Sequence, residues 1–250
     1  MMFTRARASG SAQMAVLMVC LAWLAVGCEE PKPVKTIAPA TQPTTRGALP
    51  GLTAVAISLP KPAFIGTRKD VPLGYVLEPA RKGPRAPLQA PAGVVNLAAK
   101  RPVTGSDTEP LVGKLEMVTD GDKEALDGRS VELGPGKQWV QIDLGKAGDV
   151  WGIVIWHRHS DPRIYKDVLV QVCDDLDFIT NVQAVYNNDI DNSLGMGIGK
   201  DLMYAESYEG KLIETQGQVK GRYVRLYSNG GTEGDTNHYT EVEVYGVPGK

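Results

Sequence analysis

Cysteine is scarce in this chain. There are three in 250 residues, and Cys20 and Cys28 fall within the first 28, ahead of anything patterned like a folded domain. Cys173 is left alone, and one thiol makes no intramolecular disulfide. A domain built here rests on its apolar core or a bound ion rather than on staples. An excess of charge of one sign is also missing: 27 Lys and Arg stand against 29 Asp and Glu, a net of −2. That excludes a general nucleic-acid binder, which needs a basic field to meet phosphates. Long apolar runs are absent too. The longest, Met14 to Val26, has thirteen residues, whereas a bilayer-spanning helix needs roughly 20. No repeat of fixed period occurs, which argues against propellers and solenoids. No G-x-S-x-G, P-loop or dinucleotide fingerprint occurs either. Gly195–Lys200 (GMGIGK) lacks the spacing and the following Ser or Thr of a phosphate loop.

What is present divides the chain. Residues 29–90 hold nine Lys/Arg, four Asp/Glu and eleven of the seventeen prolines; residues 91–250 hold sixteen Lys/Arg and twenty-five Asp/Glu. The first stretch carries a net +5 and the second a net −9. Arg5 and Arg7 followed by the short apolar run have the form of an export signal over residues 1–27. Its end, LAVGC, resembles a bacterial lipobox, which implies lipid attachment at Cys28 and a membrane contact through the anchor alone. Glu29 after the cysteine then implies the outer membrane of a Gram-negative envelope. The alternatives are an ordinary secretory signal cut near Gly27, giving a secreted protein, or an uncleaved anchor. Residues 28–90 read as a Pro-rich tether. Its part 29–50 is too poor in apolar residues to offset ordering entropy. Its part 51–90 is expected to pack as extended chain on the domain rather than to fold separately.

From Pro91 the pattern changes to short Val/Ile/Tyr/Trp runs between Gly, Asp, Asn and Ser clusters. Trp139–Leu144, Val150–Trp156, Asp167–Cys173, Arg222–Tyr227 and Tyr239–Tyr245 read as strands, with a Gly/Asp turn expected between the first two. Such spacing without a long helical period predicts an all-β antiparallel sandwich over 91–250. In the Trp139 strand, Val140, Ile142 and Leu144 share one face, which should be core, and Trp139, Gln141 and Asp143 share the other. Cys173 ends an alternating run and reads as a small buried hydrophobe.

The order of four motifs resembles the discoidin, or coagulation factor 5/8 type C, domain: Asn96–Val103 (NLAAKRPV), Val118–Asp122 (VTDGD), Trp139–Gly145 (WVQIDLG), and the closing pair Gly221–Leu226 with Glu241–Gly246. The resemblance covers about residues 94–247. It implies a galactose-binding-like jelly roll of about eight main strands that binds rather than catalyses, with sugars as the ligands of bacterial members. It also implies a structural calcium held by the carbonyl of Met117, Asp120, Asp122, the carbonyl of Ala125 and Glu241. Relatives often carry Thr or Ser where this chain has Ala125. The plain reading of Asp120–Gly121 is a turn.

Polar and aromatic residues gather in three loops: 157–165, 187–199 and 228–239. From these, His157, His159, Arg163, Tyr165, Asn229, Asn237 and His238 are expected to line a shallow cleft for carbohydrate or envelope glycan at one end of the sandwich. Flat rings suit sugar C–H faces, and short polar groups suit hydroxyls. Two alternatives stay open. One is an envelope scaffold that binds a protein and no sugar. The other is a zinc hydrolase using His157, His159 and His238 with Asp161 or Asp235 as base.

Overall fold

A computed structural model of the chain describes residues 51–64, 66 and 68–249. The signal segment, Cys28 and the tether up to residue 50 lie outside the described residues. No helix among the described residues is long and apolar enough to cross a membrane.

The protein is an antiparallel β-sandwich. Its strands are β1 Thr53–Ala54, β2 Gln89–Ala90, β3 Val95–Asn96, β4 Val103–Gly105, β5 Val131–Pro135, β6 Lys137–Trp156, β7 Leu169–Cys173, β8 Gln183–Asn187, β9 Lys211–Asn229, β10 Thr236–Tyr239 and β11 Glu241–Pro248. One sheet runs β3-β11-β6-β9-β7-β8, with β4 added alongside β6. β5 and β10 form a separate antiparallel pair, and so do β1 and β2.

The expected Gly/Asp turn after Leu144 does not form. β6 passes straight through it as one strand, with register shifts against β9 between Asp143 and Gly148 and between Val150 and Gly152. Bulges of this kind bend a strand and raise its twist without ending its pairing. The bend lets both halves of β6 face the same interior: Val140, Ile142 and Leu144 join Ile153 and Ile155 in one core with Val224, Leu226, Val242 and Val244. Val131, Leu133 and Tyr239 close that core from the β5–β10 pair. The alternation in Trp139–Leu144 therefore sorts as the sequence indicates. Trp139 packs on the other face beside Leu169, Leu194 and Tyr227, with the Arg225 guanidinium 4.5 Å from its ring centre. Cys173 is a free, buried thiol.

Val55, Ile57 and Leu88, from the stretch ahead of the sandwich, pack against the outer face of the sheet. Leu88 is buried in a second cluster with Val154, Trp156 and Tyr245, joined by Val55 and Ile57. Val154 and Trp156 are the outward neighbours of Ile153 and Ile155, so this segment covers apolar surface that the strand alternation leaves outside. Lys123 ties it down: its ammonium donates to the Ser58 carbonyl at 2.8 Å, pairs with Glu243 at 2.7 Å and sits over the Trp156 ring.

Candidate functional site

The structure brings His157, Tyr165 and His238 to the same end of the sandwich but places them inside it. The His157 and Tyr165 rings stack with centres 4.4 Å apart, and the Tyr165 hydroxyl lies 3.0 Å from His238 Nδ1. His157, His159 and Asn237 have no exposed surface, and Tyr165 and His238 keep 3% and 5%. The open cleft expected from these five residues is corrected on that point. The reason is polar satisfaction: as the loops fold over, their own backbone takes up the side chains. Asn237 donates to the carbonyls of Gly134 and Gly136 and accepts from the Gly230 N–H. His159 Nε2 donates to the Lys123 carbonyl at 2.8 Å. Asn229 donates to Asp167 at 2.8 Å. Arg163 forms a two-pronged pair with Asp161 at 2.9 and 2.6 Å. Burial alone would raise the Asp161 carboxyl, but the Arg163 pair holds it below its usual value.

The three histidines do not converge on a zinc position. His157 Nδ1 is spent on Glu206, His159 on a carbonyl and His238 on Tyr165. Among the described residues, the one group of three ligating side chains within reach of each other is Asp167, Asp189 and Asp191, whose oxygens lie within 4.8 Å. Those oxygens are already engaged: Asp189 accepts from the N–H groups of Ser193 and Leu194, and Asp167 from Ser193 and Asn229. Burial pushes the Asp189 carboxyl up. The sequence presents Asp189 and Asp191 as loop residues, and nothing local announces that Asp167, over twenty positions earlier, joins them.

The loop expected to hold calcium is better matched on one side than the other. Glu241 Oε2 accepts the Gly121 N–H at 3.0 Å, while its Oε1 is buried without a partner. Burial pushes this carboxyl up to about 8. A buried carboxylate oxygen with no donor is what a cation would satisfy. Asp120 is exposed beside it, and its Oδ1 accepts the Asp122 N–H at 2.8 Å. The Asp122 carboxylate is turned away to Arg129, at 2.6 Å, which leaves only its carbonyl for a cation. Residues Glu241 and Asp120 thus fit a hard cation, and the Asp122 carboxylate does not.

Sequence reasoning missed a cavity among the described residues. It measures about 430 Å³ and lies between Gly66, Arg68 and residues 77–86 on one side and the sandwich segment 204–214 on the other. Its walls include Arg68, Arg81 and Arg85 from the first, and Tyr204, Glu206 and Lys211 from the second. Gly210 belongs to the floor: its φ is +65°, and a Cβ there would meet the Trp156 ring at 2.8 Å. Arg68 reaches across to Thr232 and Glu233, at 3.0 and 2.7 Å. Arg68 therefore links this segment to the 228–239 loop as well. The signal that could have found this wall is the net +5 of residues 29–90 against the net −9 of residues 91–250.

The chain is similar to carbohydrate-binding modules. A fucose-binding module of Streptococcus pneumoniae aligns over 60% of this chain and 97% of its own, at 19% identity and a TM-score of 0.43. Chitosan-binding module 1 of a chitosanase/glucanase from Paenibacillus sp. IK-5 aligns over 61% of this chain and 99% of its own, at 19% identity and a TM-score of 0.40. A family 89 glycoside hydrolase of Clostridium perfringens aligns over 62% of this chain at 16% identity and a TM-score of 0.46. The match spans only 15% of that enzyme's length. The sequence matches no protein-family model and none of the curated proteins compared with it.

Proposed function

We propose that this chain is a non-catalytic, carbohydrate-binding module of the cell envelope, lipid-anchored through Cys28. The observation that carries the reading is the cavity on the sandwich edge. A volume of about 430 Å³ falls in the range of small-ligand sites, and such sites combine a largely preformed wall with a few placed polar groups. Its charged groups are mostly held in pairs: Arg81 with Glu209 at 2.5 Å, and Lys211 with Glu78. Paired groups bind and orient; they do not supply the pair of free carboxyls, an acid and a base, that sugar hydrolysis uses.

In this reading a structural calcium is held by Glu241, Asp120 and carbonyls of the 117–125 loop. Its part is to satisfy the buried Glu241 oxygen and so join that loop to β11. The anchor and tether place the sandwich outside the membrane, at the outer membrane if the cell is Gram-negative.

A glycan array probed with the full chain, followed by calorimetry on the hits, tests the function. Saturable binding to at least one glycan is expected. Binding to no glycan, with an envelope protein co-purifying instead, would replace this reading by a protein-interaction module.

A further inference from the structure

We infer that the Pro-rich segment 68–86 is half of the ligand site, and that Arg85 from this segment and Glu206 from the sandwich contact hydroxyls of a neutral sugar. The inference rests on the carbohydrate reading above and adds where the ligand sits and what kind of sugar it is.

The charge on the walls comes first. Arg68, Arg81, Arg85 and Lys211 face Glu78, Glu206, Glu209 and Glu214 around the cavity. Four cations balance four carboxylates, so the walls set up no net field for an anionic or cationic ligand. Most are bound to each other or to a neighbour, as Arg68 is to Glu233 at 2.7 Å.

Two atoms are left over. Arg85 Nε is a buried donor without a partner, and Glu206 Oε2 is a buried acceptor without one. A charged group closed off from water with an unmade hydrogen bond is costly, and native structures keep few of them. The two belong to one neighbourhood. Arg85 is held by Glu209, whose carboxylate takes the Arg85 N–H at 2.9 Å and whose carbonyl takes its Nη2 at 3.2 Å. Glu206 lies three residues before Glu209. It is fixed from behind, since its Oε1 accepts from His157 Nδ1 at 2.7 Å in a pair with no exposure on either side. Its second oxygen is therefore not free to swing toward another partner.

A ligand meeting this pair must accept from Arg85 and donate to Glu206 while remaining neutral. Hydroxyls do both, and a sugar carries several on one ring. Both residues line the cavity and both atoms are buried, so contact with a sugar requires the segment to shift outward and then close over it. That motion breaks a short parallel bridge, Leu77 to Met203, ion pairs with an exposed member such as Arg81–Glu209, which hold weakly in water, and the two hydrogen bonds of Arg85 to Glu209.

The test uses the full chain and a neutral glycan found on the array. Hydrogen exchange is followed at residues 76–86 and 203–212 with and without that glycan, and slower exchange in both stretches on binding is expected. Calorimetry then compares wild type with Arg85→Lys, which keeps the charge and loses Nε, and with Glu206→Gln. Each should bind at least tenfold more weakly, and Arg85→Lys should melt as wild type does. If Glu206→Gln fails to fold, Arg85→Lys and the exchange data decide. Wild-type binding with unchanged exchange in both stretches, or unchanged affinity in Arg85→Lys, would overturn the location while leaving the carbohydrate reading intact. Tighter binding of the matching uronic acid would overturn the neutral-ligand part. Absence of any glycan binding would remove the reading and this inference together.

Discussion

His157 Nδ1 stands 2.7 Å from Glu206 Oε1, and neither side chain has any exposed surface. The Tyr204 hydroxyl approaches the same nitrogen at 3.2 Å, and Tyr239 lies against the ring with centres 4.8 Å apart. The pair bridges 49 residues of sequence and ties the end of β6 to the segment that enters β9. Removing one member leaves the other buried without its partner. We expect His157→Ala to destabilise the protein by about 3–5 kcal/mol, read from urea unfolding midpoints. A loss within experimental error of zero would mean the pair does not hold these elements together.

The second prediction concerns acid. Burial pushes the His238 imidazole down to about 4, against the opposing pull of Glu132. Its folded value is then below the unfolded value of roughly 6.5. Between those limits the unfolded chain binds a proton that the folded chain does not. This contribution is fully present above about pH 6.5 and is lost as pH falls toward 4, up to about 3 kcal/mol in all. Urea midpoints across that range should fall less steeply in His238→Gln than in wild type. Parallel slopes would show that another group controls acid unfolding.

Calcium should stabilise the wild-type chain. Binding to the folded state alone contributes about 2.7 kcal/mol at a hundredfold excess over the dissociation constant. In Glu241→Gln the orphaned carboxylate oxygen is gone, and the difference in melting temperature between calcium and chelator should vanish. The same melting temperature in calcium and in chelator for the wild type would refute an exchangeable calcium at this loop.

Leu88 is the apolar anchor of the 51–90 segment, buried against Val154 and Trp156. Leu88→Ala should cost about 2–5 kcal/mol if the whole fold feels the cavity. The segment rather than the sandwich should loosen first. Limited proteolysis should therefore cut the variant within residues 66–86 at protease levels that spare the wild type. Protection equal to wild type would show that ion pairs alone hold the segment down.

Lipid attachment is tested separately. Metabolic labelling with a fatty-acid analogue should mark the wild type and miss Cys28→Ala, with the sandwich still folded, since no disulfide depends on that residue. Label retained on the variant would sink the lipoprotein expectation.

The sequence by itself determined the class of fold and the inner face of its clearest strands. Period-2 alternation fixes which side of a strand is apolar, so the sequence alone assigns Val140, Ile142 and Leu144 to the core. It was less informative where alternation is diluted: β8 is QAVYN, and the first half of β9 carries Glu214, Gln216 and Gln218 between its apolar residues. It also misjudged Gly145–Asp149, because a bulge and a turn draw on the same residues and differ only in whether the neighbouring strand continues past them. What only the tertiary structure decided is which polar loop residues face water. His157, His159 and Asn237 carry the chemistry of a surface site, yet they meet partners brought from far along the chain, such as Glu206, and those partners settle their burial. The charge contrast between residues 29–90 and the remainder was legible, but charge acts at a distance and names no contact. Where Arg68, Arg81 and Arg85 land follows from Leu88 and Lys123, because apolar burial and a buried ion pair fix the path of the segment that carries them.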